Sequence, residues 1–152
     1  MRAVGQGQRA LVVQFIKGPW ASGEDESHKS LPNFIIVKKG LGFVGIQGDT
    51  IPFAKHKEAA QEAIDYAKKE LLSNQWNIVV LDEIWNALYL GLVSDRDVLD
   101  FFNIMKSRSE HALMTGRNCP RVYIDKADLV TEMKEVKHPY SKGTKAKAGV
   151  EF

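Results

Sequence analysis

The chain has 152 residues, enough for one domain that buries about two-thirds of the surface its unfolded form exposes. Its composition, 44% hydrophobic and 26% charged, is that of an ordinary soluble globular protein, and this excludes a disordered, coiled-coil or collagen-like chain. A net charge of +2 makes no case for a nucleic-acid partner, and the apolar runs fall far short of the roughly 20 residues a membrane span requires.

The N-terminal MRAVGQGQRA carries charge but no apolar stretch behind it, so neither an export signal nor a membrane anchor is expected. Its Gly5-Gln6-Gly7-Gln8 reads as the C-terminal turn of a helix. A phosphate-cradling loop of the form GxxxxGK[ST] needs a preceding strand, a lysine and a hydroxyl, and this segment has none of them. Ala10 to Ile16 is an apolar run between glycines and Lys17-Gly18-Pro19, which predicts a buried strand. The polar ASGEDESHKS has loop composition, Phe34 to Val37 predicts a second strand, and the glycine-rich KKGLGFVGIQGD follows. From Phe53 to Leu72 apolar positions at Ala59, Ala63, Tyr66, Ala67 and Leu71 recur three and four apart among Glu, Lys and Ala, which predicts an amphipathic helix. His56 falls on its polar side, where solvation is expected.

Asn77 to Asp82 predicts a third strand, with a helix after it, and Ser94 caps another helix through DRDVLDFFNIMKS, whose early acids suit the helix dipole. A short run, His111 to Met114, leads to Thr115-Gly116-Arg117-Asn118; a short helix is expected from about Pro120 to Lys126, and a last strand over Asp128 to Met133. Strands alternating with helices predict an α/β fold, a mostly parallel sheet with helices on both faces, in a single domain over residues 1–152.

In such sheets ligands bind beyond the carboxyl ends of the strands, which singles out Lys17-Gly18, Asp82-Glu83 and Thr115-Gly116-Arg117. Adjacent carboxylates at a buried strand end are costly without a cation or donors, so Asp82 and Glu83 read either as a magnesium site or as a helix N-cap with an acid in the first turn. The pattern alone balances the two. None of His28, His56, His111 and His138 pairs at a metal-ligand spacing, and His138 in the basic tail is the histidine kept as a ligand contact. Trp85 reads as a packing residue. Cys119, the single cysteine, lacks an activating base and cannot form an internal disulfide, which fits a cytoplasmic protein. Nucleophilic hydrolysis has no support.

Taken in order, RALVVQFIKGPW, VVLDEIWNALYLG, TGRNCP and ADLVTEMKEVKHPYSKGTKAKAGVEF resemble the corrinoid adenosyltransferases of the CobA/BtuR type across essentially the whole chain. The resemblance implies a P-loop NTPase-like (RecA-like) α/β fold, usually a homodimer, that binds ATP with Mg2+ and a corrinoid, cobalamin or cobyrinic acid a,c-diamide, whose cobalt is Co(I). It implies transfer of the 5′-deoxyadenosyl group to cobalt with release of triphosphate, in adenosylcobalamin biosynthesis or salvage, with a flavoprotein as reductant. By the same resemblance Glu83 is the expected magnesium ligand with Asp82 in support, and Lys17, Gly18, Arg117 and Asn118 are the expected nucleotide-binding residues. Phe43, Gly45 and His138 are the expected corrinoid-binding residues.

Three departures accompany it. The family's first strand and its GxGKGK[ST] phosphate loop have no counterpart here, so an N-terminally truncated form of the domain is expected. Gly45 stands where many members carry a tryptophan, and the His111 to Thr115 segment is shorter than theirs. An alternative follows: a catalytically silent corrinoid-binding or dimerisation module without ATP turnover.

Overall fold

The computed structural model describes residues 1–46, 48–108 and 111–149. Four parallel strands make its sheet, in the order β2-β1-β3-β4, with β1 at Ala10–Gln14, β2 at Phe34–Lys38, β3 at Ile78–Asp82 and β4 at His111–Met114. Ala10 of β1 stands between Phe34 of β2 and Ile78 of β3, and the register carries through to Gln14 between Lys38 and Asp82. Leu81 pairs with Met114 on the other side of β3. Parallel register puts all four carboxyl ends on one edge, so the polar residues that close the strands converge there.

The strand sequences explain their places. β1 is apolar at four successive positions and buried along nearly its whole length, as a parallel strand covered on both faces must be. Leu11, Val13, Val79 and Leu81 have no exposed surface. β1 ends at Gln14 rather than Ile16; Phe15 donates its N–H to the Asp82 carbonyl at 3.1 Å, and both Phe15 and Ile16 stay buried as the chain bends away.

Short helices α1 (Arg2–Gly5) and α2 (Gly23–Ser27) flank β1 in sequence. The turn at Gly5 to Gln8 is a helix end, as the glycines predict. α3 (Phe53–Leu72) spans the whole predicted range and buries Ala60, Ala63, Ile64, Ala67 and Leu71. α4 (Ile84–Tyr89) follows β3, and α5 (Asp95–Lys106) buries Val98, Phe101 and Phe102. Ser94 caps α5 as predicted, its hydroxyl accepting from the Asp97 N–H at 3.2 Å while Asp97 reaches back to the Ser94 N–H at 3.2 Å. Asp97 also accepts from Gln61 at 3.3 Å and Lys68 at 3.2 Å, tying α3 to α5. α6 (Arg121–Ile124) seats Tyr123 on Trp85, ring centroids 5.1 Å apart, and its hydroxyl donates to Asp95 at 2.8 Å. Trp85 packs, as its position suggests, with only 6% of its surface exposed.

Three expectations are overturned. ASGEDESHKS is not loop throughout: Gly23–Ser27 is helical and His28–Ser30 a 3-10 turn, because Ser22 and Asp25 form a capping box in which the Ser22 N–H donates to Asp25 Oδ2 at 2.8 Å. Asp128 to Met133 is not a strand: the segment is irregular, with Leu129 85% and Met133 94% exposed. Strand propensity needs a neighbouring strand to bond with, and among the described residues β4 pairs only with β3 while this segment pairs with none. His56 is not solvated: it is 3% exposed, because the loop before α3 folds over that face of the helix. Among the described residues no helix is long and apolar enough to cross a membrane.

Candidate active site

At the carboxyl edge Asp82 is held from two sides. Gln14, its register partner on β1, donates Nε2–H to Asp82 Oδ2 at 3.1 Å. Thr115, the first residue past β4, donates its hydroxyl to Asp82 Oδ1 at 2.8 Å and accepts the Glu83 backbone N–H at 3.0 Å. Asp82 therefore spends both oxygens on neighbours and is no helix cap; α4 starts at Ile84, with Glu83 as its flanking residue and no side-chain cap bond. Glu83 adopts φ +62°, a left-handed conformation that costs a non-glycine residue about 1–2 kcal/mol. The bond to Thr115 and the following helix hold it there.

No hydrogen bond reaches the Glu83 carboxylate among the described residues. Burial pushes its carboxyl above the usual range and the Asp82 charge adds to that, while the Lys17 and Arg117 cations oppose it. The expected residues Lys17, Asp82, Glu83 and Arg117 thus share one electrostatic neighbourhood. Lys17 itself forms an ion pair with Glu24 at the start of α2, and Lys38 pairs with Asp25 at 2.5 Å. The Arg117 N–H donates to Asn86 Oδ1 at 2.6 Å, and Asn118 has φ +60°, so the loop after β4 is fastened to α4.

Gly18 plays a packing part: a Cβ there would lie 2.5 Å from the Trp20 ring and 3.0 Å from Gly42 Cα. This close approach lets the loop after β1 dock against the glycine-rich loop after β2. The result is a cleft of about 400 Å³ lined by Trp20, Leu41, Phe43, Ile46, Gly48, Asp49, Thr50 and Ile51. Phe43 and Trp20 stand 5.9 Å apart with tilted rings, both substantially exposed. Gly45 lies beside this cleft with φ +70°, its N–H donating to Asp49 Oδ2 at 2.8 Å. His138 lies in the exposed C-terminal segment, where its Nδ1 accepts the Tyr140 N–H at 3.1 Å, capping the 3-10 turn Pro139–Lys142. No described contact joins it to Phe43.

Sequence reasoning missed Gln14, Asn86 and Trp20, and it singled out Thr115 as a strand-end residue without its bond to Asp82. Gln14 and Thr115 were recognisable only as residues at strand ends, and their bonds to Asp82 follow from register. Gln14 is 5% exposed, and its Oε1 is a buried oxygen without a hydrogen-bond partner. An orphaned buried acceptor calls for a donor. Next to two carboxylates, one of them free and destabilised by burial, it suits a hydrated cation. Among the described residues no cluster of three or more His, Cys, Asp or Glu can hold a metal. The donor set fits magnesium, which commonly takes one or two carboxylates and completes its octahedron with water and phosphate oxygens.

The profile of the CobA/CobO/BtuR family, described as ATP:corrinoid adenosyltransferase BtuR/CobO/CobP, matches residues 1–152. Similar proteins named corrinoid adenosyltransferase include one from Sinorhizobium sp, 35% identical over 159 residues, covering 99% of this chain and 70% of its own. Another, from Pseudomonas aeruginosa, is 36% identical over 153 residues, covering 99% of this chain and 73% of its own. A third, from Escherichia coli (strain K12), is 30% identical over 155 residues, covering 99% and 74%. Each of these relatives is longer than the matched region. With a match over its full length and the polar strand ends in place around Asp82 and Glu83, the chain belongs to the CobA/CobO/BtuR family of ATP:corrinoid adenosyltransferases.

Proposed function

We propose that the protein takes part in transfer of the 5′-deoxyadenosyl group from ATP to the Co(I) centre of a corrinoid. In that reaction Co(I) attacks the ribose 5′-carbon, the cobalt–carbon bond forms, the carbon–oxygen bond breaks and triphosphate leaves. The observation that carries the reading is the pair Asp82-Glu83, with Asp82 bonded on both oxygens and Glu83 free, in a chain matched along its length by this family. Magnesium, when bound with the nucleotide, would neutralise the polyphosphate that departs. Glu83 is the residue suited to ligate it, and Asp82, Gln14 and Thr115 hold the strand end in shape. Arg117 and Lys17 supply positive charge beside the same edge, and the Trp20/Phe43 cleft offers an apolar wall for the corrinoid.

The phosphate-gripping element of the family is not among the described residues. A homodimer and a flavoprotein electron donor belong to the same reading, and sedimentation of the purified protein tests the first.

The decisive assay is formation of the light-sensitive adenosyl-corrinoid spectrum from ATP and reduced corrinoid. Glu83→Gln should abolish the magnesium-dependent rate. Product formed by Glu83→Gln at the unaltered chain's rate would remove Glu83 from the metal's ligands. The second reading, a silent corrinoid-binding module, is favoured by the absence of any GxxxxGK[ST] stretch in the sequence. It requires corrinoid binding without magnesium-dependent ATP affinity, which separate calorimetric titrations distinguish.

A further inference from the structure

We infer that His56 and Asp49 form a latch that positions the wall of the aromatic cleft, and so sets affinity for the corrinoid; the inference rests on the proposed reading of that cleft. His56 projects from the first turns of α3 and its Nε2 meets Asp49 Oδ2 at 3.1 Å, with 2% and 8% of the two side chains exposed. The same carboxylate accepts the Gly45 N–H at 2.8 Å on Oδ2 and the Ile51 N–H at 2.9 Å on Oδ1. One side chain thus gathers both ends of the cleft wall and ties them to a helix anchored in the core by Ala60, Ala63 and Ile64.

The tie is needed because of what lies between its ends. Gly45 and Gly48 have φ +70° and +77°, and glycine in such conformations loses more freedom on ordering than any other residue. Ile46 and Ile51, which line the cleft, are 58% and 37% exposed, so apolar burial does little to hold them. With so little packing, the carboxylate's three bonds are what orders the wall. An ionised carboxylate only accepts, so the Nε2 nitrogen of His56 carries the proton it shares. A cleft ordered before its ligand arrives spares the ligand the cost of ordering it.

The test uses the full chain, with hydroxocobalamin as the binding probe followed by absorbance and with amide hydrogen exchange read at Gly45 and Ile51. His56→Ala is expected to weaken corrinoid affinity roughly tenfold by losing preorganisation. It should leave Mg-ATP affinity and kcat within about twofold, and speed exchange at both amides, because the machinery at Asp82 and Glu83 is separate. His56→Gln, which keeps a donor, should recover part of the affinity. His56→Leu, which fills the same buried space without a donor, repeats the test should His56→Ala unfold.

Unchanged exchange at Gly45 and Ile51 in these variants overturns the latch, as does a fall in kcat at unchanged corrinoid affinity. If the unaltered chain binds no hydroxocobalamin while the variants lose amide protection, the latch stands and the corrinoid reading of the cleft fails.

Discussion

Replacing Thr115 by valine removes one hydroxyl and little else, which isolates the bridge between β3 and β4. That hydroxyl makes two bonds, one donated to the Asp82 carboxylate at 2.8 Å and one accepted from the Glu83 N–H at 3.0 Å. Bonds to charged groups contribute about 1.5–3 kcal/mol and neutral ones about 0.5–1.5 kcal/mol. Thr115 is exposed, however, so water can replace both partners, and the expected loss of folding stability is only about 1 kcal/mol. The larger effect falls on geometry. Glu83 is held at φ +62° against its own preference, and without the Thr115 bond the peptide that aims its carboxylate is free to relax. Loss of a group that orients a metal ligand typically weakens metal affinity by about 10–100-fold. Thr115→Val should therefore bind Mn2+, a spectroscopic stand-in for magnesium, at least tenfold more weakly in the presence of ATP. Thr115→Ser, which keeps the hydroxyl, should stay close to the unaltered chain. Urea titration separates stability from binding. Equal Mn2+ affinity in the unaltered chain and the valine variant would refute the bridge, as would a serine variant as weak as the valine one.

Two further predictions concern the scaffold. A Cβ at Gly116, whose φ is +132°, would fall 2.7 Å from Asn86 Oδ1 and 3.0 Å from Trp85 Cβ. Gly116→Ala should cost roughly 1–3 kcal/mol in thermal or urea denaturation and loosen the Arg117 loop; stability equal to the unaltered chain would mean that α4 and this loop are not in such contact. Burial raises the Asp97 carboxyl, but hydrogen bonds from Ser94, Gln61 and Lys68 outweigh it and hold it at about 2. A carboxyl depressed below its unfolded value, about 3.9, contributes stability that is present above that value and lost as pH falls through the folded one. The urea midpoint of the unaltered chain should therefore drop toward that of Asp97→Asn between about pH 4 and pH 2. A constant gap across that window would count against the network.

Much of this protein is legible in its residues alone. The three- and four-residue spacing of α3, the unbroken apolar runs of β1 and β3 and the Ser94-to-Asp97 box each express a local preference that packing reinforces. Asp82 and Glu83 stood out because two carboxylates after four apolar residues need a reason. What the tertiary structure decided is everything that depends on which segment lies next to which. Periodicity put His56 on a polar face, but it cannot register that a loop with Asp49 folds over that face. Propensity favoured a strand over Asp128 to Met133, yet a strand exists only against another strand, and no described strand pairs there. The division of labour between Asp82 and Glu83 likewise belongs to the parallel register. Pairing Gln14 opposite Asp82 and bringing Thr115 alongside satisfies one carboxylate and leaves the other without a hydrogen bond among the described residues.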